Sequence, residues 1–263
     1  MGQPYYTYFI RSRWRGGTEA PSDIGLKLLK TLDALSSIDP IFANWMVHDL
    51  RNLTSLSLEE ARSCISSVVE NNVERNDFDK PTPAYGYSIS AAAGPFNDPR
   101  SVSLRLFAGG SLCKENGPVL EFGGDDVAPD PGIVNYPLFK AALLAINAIW
   151  RAPWICAQAF RSGYNEVATD LGGALATRIE SAPQVPTDPA FPDSIFHIPW
   201  IGYLSTELAV GLSLTPEILT ERTADGGLLM SVTTERFDPT NRKHVRGSRI
   251  LAEALIAATG EVS

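Results

Sequence analysis

From Tyr6 onward the chain alternates. Tyr6, Tyr8, Ile10 and Trp14 fall on one side, and Thr7, Arg11 and Arg13 on the other. A period of two with one apolar side predicts a strand with one buried face, closed by Gly16-Gly17. The period then lengthens. Between Pro21 and Ile38 the apolar residues Ile24, Leu28, Leu32 and Leu35, widened by Leu29, recur at helical spacing. Asp39-Pro40 stops that helix, because a residue before proline avoids helical backbone. Phe42 and Trp45 read as a short piece anchored on the core. A second helix opens at Ser57, where Ser57 and Glu60 fit a capping box. Leu58, Ala61, Ile65 and Val68 make its buried stripe, with Glu59, Arg62, Ser66 and Glu70 facing water.

After the polar connection "ENNVERNDFDKPTP" the period returns to two. "AYGYSISAAAG" reads as a strand. In the next, Val102, Leu104, Leu106 and Ala108 alternate with Ser101, Ser103 and Arg105, and "PVLEFGG" adds a third. The short loops between them favour antiparallel pairing. A helix follows from about Pro137 to Trp150, carrying Phe139, Leu143, Ile146 and Trp150, and "WICAQAFR" reads as a strand. The proline-rich stretch from Ser162 to Pro199 predicts irregular backbone, with a short helix near Leu171–Ile179. "WIGYLS" is apolar on both faces, Trp200 and Leu204 against Ile201 and Tyr203, so it reads as a central, covered strand. "GGLLMSVTTERF" is a further strand. A C-terminal helix carries Ile250, Leu251, Ala254, Leu255 and Ala258 and ends at a capping Gly260. Helices and strands cluster without strict alternation. The class is therefore α+β, mainly antiparallel sheet with four to five flanking helices. A single domain spans 1–263, with the turn-rich 124–136 stretch as the joint if it divides into two lobes.

Composition narrows the function. The 263 residues carry a net charge of −8, which disfavours nucleic acid and favours a basic partner. No run of 18 apolar residues predicts a membrane span, and "MGQPYYTYFIRSRWRGG" lacks the pattern of a secretory signal, so the expected location is the cytoplasm. Cys64, Cys113 and Cys156 are odd in number and far apart, as suits buried thiols in a reducing compartment.

Candidate chemistry is sparse. His48, His197 and His244 share no metal-ligand spacing and read as capping or surface residues. No nucleophile elbow, phosphate loop or dinucleotide fingerprint is present, so neither metal nor cofactor is expected. Two acidic elements remain. Asp125, Asp126 and Asp130 stand in "GGDDVAPDPG", where turn formation is the ordinary role and meeting a basic partner the interesting one. Glu70, Glu74, Asp77 and Asp79 stand in and beside "NNVERNDFD". All seven are candidate partner-binding residues. An alternative makes Asp125 and Asp126 the pair of a metal-assisted hydrolase.

Four landmarks occur in order: the aromatic strand ending at Trp14, "IDPIFANW", the "N-x-x-x-R-N-D" segment near residue 76, and "WIGYLS" followed by "ERF". In this order they resemble the immunity protein 52 family of bacterial polymorphic toxin systems, from about Tyr5 to Gly260. The late strand departs from the family's pattern, since Pro199 precedes Trp200 where the family has Gly-Trp. The resemblance implies a non-catalytic protein that binds and neutralises a cognate toxin effector. That toxin would be a basic nuclease-like domain delivered by contact-dependent or type VI secretion. It implies no direct contact with nucleic acid or membrane and leaves the oligomeric state open. A third class, a scaffold of the secretion apparatus, would bind apparatus components and neutralise nothing.

Overall fold

The computed structural model describes residues 6–12, 14, 17–95, 97–112, 116–123, 127–161, 187–188, 191–195 and 197–260. Ten strands form one antiparallel sheet. In chain order they are β1 (Tyr6–Ser12), β2 (Met46–Asp49), β3 (Thr54–Ser57), β4 (Tyr87–Ala93), β5 (Val102–Ala108), β6 (Gly117–Phe122) and β7 (Trp154–Arg161). Then β8 (Thr187–Asp188) and β9 (Phe191–Ile195) pair as a separate ribbon, and β10 (His197–Leu204), β11 (Leu219–Arg222) and β12 (Leu228–Ser231) rejoin the large sheet. Its order is β11-β12-β10-β7-β1-β6-β5-β4-β2-β3. The helices are α1 (Pro21–Ser36), α2 (Leu58–Asn71), α3 (Tyr136–Trp150), the single turn α4 (Thr206–Ala209) and α5 (Arg242–Gly260). The α+β class and the antiparallel pairing are as the sequence predicts.

The helical stripes fall where the periodicity puts them. Ile24, Leu28, Leu32 and Leu35 of α1 are buried, as are Ala61, Ile65 and Val68 of α2, and both halves of the Ser57–Glu60 capping box form. Aromatic contacts hold α3 on the sheet and on the segment after β1. Phe139 of α3 stacks on Phe122 with centroids 4.3 Å apart, and Trp150 stacks on Trp14 at 5.6 Å. Each such pair adds roughly 0.5–1.5 kcal/mol beyond the area it buries.

Four expectations are corrected. β1 is covered on both faces, since Thr7 and Phe9 are buried as well as Tyr8 and Ile10; it lies inside the sheet between β6 and β7. The piece after Trp45 is a full hairpin, β2 against β3, with Asp49 opposite Thr54. Strand β12 stops at Ser231, and residues 232–241 form a loop that carries "ERF". Part of the 162–199 stretch is regular and not irregular, since β8, β9 and the start of β10 are strands. The expected helix near 171–179 lies outside the described residues, as does Cys113, while Cys64 is half-buried and Cys156 buried.

"WIGYLS" is a central strand, as read. Trp200, Ile201 and Leu204 are fully buried, with β7 on one side and β12 on the other. Its glycine admits α5: a Cβ at Gly202 would lie 3.2 Å from Cδ2 of Leu255. The landmarks of the resemblance are therefore mostly core. Phe42 and Trp45 stack on each other and Phe42 meets Phe122 edge-on, while the Trp200 ring contacts Phe139 and Phe237.

Candidate functional site

At the end of the sheet where β1 begins and β6 finishes, three loops surround an open groove of about 670 Å³. Tyr6 and Tyr8 supply aromatic wall, Asp98, Asp130 and Asp238 supply carboxylates, and Arg100 and Arg236 supply cations. The three aspartates arrive by one local device. Each precedes a proline, and each accepts through Oδ1 the backbone N–H two residues on: Arg100 to Asp98 at 2.7 Å, Gly132 to Asp130 at 2.8 Å, Thr240 to Asp238 at 2.8 Å. Proline presets the turn and the aspartate closes it. One oxygen of each carboxylate is thus spent on its own loop, and Oδ2 takes no part in the turn.

Tertiary contacts bring the three turns together. The Asp130 N–H donates to the Pro99 carbonyl at 2.8 Å, and Arg100 Nε lies 3.8 Å from Asp130 Oδ2. The third turn is pinned by Phe237, buried between Trp200 and the stacked ring of His244. Tyr8 donates its hydroxyl to the Phe237 carbonyl at 3.1 Å, and the Asp238 N–H donates to His244 Nδ1 at 3.0 Å. With Phe237 turned inward, its neighbours Arg236 and Asp238 stand exposed at the groove.

Electrostatics follow from these contacts. Burial pushes the Tyr8 phenol up to about 12, against the opposing charge of Arg236. Tyr8 therefore stays protonated and committed to a carbonyl, which makes it a poor base. Burial acts to raise Asp238, but bonds from the Thr240 hydroxyl and N–H, with the charge of Arg236, outweigh it and hold the carboxyl below its ordinary value. Fixed anions beside aromatic and proline surface suit an incoming guanidinium or ammonium.

The second acidic element lies at the other end. β4 starts at Tyr87, bridged to Val73, and finishes at Ala93, just before the Asp98 turn. Its seven residues separate the two ends by roughly 20 Å. Glu70 is exposed at the last turn of α2 and Glu74 is half-buried. Asp77 and Asp79 flank Phe78 in a turn braced from within. Asn76 Oδ1 accepts the N–H groups of Phe78 and Lys80 at 3.0 Å each, and Arg75 pairs with Asp79 at 3.1 Å. The structure thus keeps Asp130 apart from Glu70, Glu74, Asp77 and Asp79. Asp125 and Asp126 lie outside the described residues.

Asp98, Arg100, Arg236, Asp238 and both tyrosines escape sequence reading, because residues so far apart in sequence meet only in the fold. One signal was present: three of the five Asp-Pro pairs in the chain line the groove. Of the histidines, His244 is buried as a backbone acceptor and His48 bonds Ser55 Oγ at 2.8 Å; the His197 side chain lies outside the described residues. Among the described residues no three His, Cys, Asp or Glu side chains gather to hold a metal ion, and no helix is long and apolar enough to cross a membrane.

No protein-family model matches the chain, and no curated protein does. Among solved structures it is similar to the Pseudomonas aeruginosa T6SS protein PA0821, with 9% identity and a TM-score of 0.47, covering 96% of this chain and 72% of that one.

Proposed function

We propose that the chain is an immunity protein: it binds a cognate toxin effector of a contact-dependent or type VI secretion system and neutralises it by occlusion, without catalysis. The partner is a basic, nuclease-like domain. The observation that carries this reading is the groove, where three pre-oriented aspartates stand beside two tyrosines, with Arg100 and Arg236 on the same wall; in this reading the aspartates receive a cationic segment of the partner. The ordered landmarks of the family resemblance point the same way, and the net charge of −8 draws a basic domain in and raises its on-rate. A nuclease must offer positive surface to phosphates, so an acidic cover denies DNA the surface it needs.

Co-expression with the toxin encoded in the neighbouring reading frame tests the reading. The expected result is restored growth and a stoichiometric complex. Replacing Asp98, Asp130 and Asp238 together by lysine is expected to slow association by about 10-fold or more at low salt. Absence of both complex and rescue, or turnover of a substrate by the purified chain alone, would overturn it.

A further inference from the structure

The end of the sheet opposite the groove presents an unusual surface. Nine large apolar side chains are exposed among the described residues, and five of them are here: Leu53 at 90%, Phe78 at 82%, Leu112 at 65%, Leu50 at 53% and Tyr85 at 39%. They come from three loops that are bonded to one another. Asn72, which closes α2, accepts the Leu50 N–H through Oδ1 at 3.0 Å and the Ser88 N–H through its carbonyl at 3.0 Å. The Leu112 N–H donates to the Ala84 carbonyl at 2.8 Å. Gly86, at φ 88°, lets the second loop lie against the third: a Cβ there would fall 2.6 Å from the Ala108 oxygen.

The loops are rigid for reasons beneath the surface. Asp49, buried at the base of the β2–β3 hairpin, accepts the N–H groups of Arg51 and Asn52 and the side-chain amides of Asn52 and Asn71. Leu53 is held at φ 54°, a region a leucine rarely enters. Asn76 and Arg75 brace the Phe78 turn as described above. Polar groups are consumed inside while leucine and phenylalanine stand in water. Exposed apolar patches of this kind mark protein contacts, and pre-ordered loops lose little freedom on docking.

We infer that this end is the affinity-determining contact for the basic toxin domain, with Phe78 and Leu53 entering an apolar pocket on it. Net charge selects the occupant. A second copy would bring another −8 and repel, whereas a basic domain is attracted. A standard contact patch of about 800 Å² per partner is roughly 30 Å across, so one domain laid along the strands reaches both this end and the groove.

The inference rests on the toxin-binding reading, and its test separates the two. Binding of the full chain to the neighbouring-frame toxin domain is measured by calorimetry, with light scattering of the chain alone. Phe78→Ala is expected to weaken binding about 30-fold, and with Leu53→Asn about 100-fold or more, at unchanged melting temperature. Asparagine tolerates the left-handed backbone, so that variant removes the leucine and keeps the turn. Binding by the double variant within 3-fold of wild type overturns this contact and leaves the toxin reading standing. No binding by wild type overturns both. A dimer of the chain alone that Phe78→Ala dissolves overturns the basic domain as occupant.

Discussion

At the groove end each aspartate bonds its own turn through one oxygen, and the exposed Arg236 and Asp238 line the opening. At the loop end the carboxylate and amides of Asp49, Asn71 and Asn72 turn inward, and leucine and phenylalanine take the outside. Both ends carry exposed carboxylates, but only the loop end sets exposed leucine and phenylalanine beside them. Charge held at a rim acts at long range and is screened by salt; apolar surface acts at contact and is not. The groove is therefore suited to attraction and orientation, and the loops to holding.

The comparison breaks most severely at Asp49. Asp49→Ala removes a buried carboxylate that takes four hydrogen bonds, and a loss of about 3 kcal/mol in urea unfolding is expected. Toxin binding should fall too, since Leu50 and Leu53 lose their frame. An effect below about 1 kcal/mol would mean that the hairpin tip is held by something else. The groove counterpart is milder. Tyr8→Phe leaves the buried Phe237 carbonyl without its 3.1 Å donor, at an expected cost of about 1–2 kcal/mol.

Acid sharpens the contrast. Burial acts to raise Asp49, but its bonds from Asn71, Asn52 and Arg51 prevail and hold it below its ordinary 3.8. A carboxyl depressed in the fold contributes stability that is complete above 3.8 and fades as pH falls through the folded value. Thermal melts of wild type should therefore steepen in their decline below pH 3.8, and Asp49→Asn should decline less. Equal slopes would remove Asp49 as a source of acid sensitivity.

How far the sequence was legible follows the same division. The stripe of α1, the alternation of β5 and the Ser57 cap are local patterns with local causes, and they stand. The β2–β3 hairpin was hidden because what holds its turn is not local: the partners of Asp49 are Asn52 and, 22 positions away, Asn71. At the groove Asp130 was visible in "APDPG", but Asp98 and Asp238 acquire meaning only once β1, β6 and the Phe237 pin bring their turns together. The two acidic elements looked like one kind of surface. Strand β4 stands between them.

The smallest expected effect tests whether the groove is contact surface or masonry. Arg100 and Asp130 approach only to 3.8 Å, with 65% and 36% of their side chains exposed, and a pair so solvated is worth about 0.5 kcal/mol or less. Arg100→Ala should leave urea unfolding within that margin. The same change removes one cation from the groove, so association with a basic domain should accelerate about 2-fold at low salt and hardly at all at high salt. If stability instead drops by more than about 1 kcal/mol, Arg100 is bracing the three turns. The groove would then be a structural joint, and the loop end would be left as the face that meets the partner.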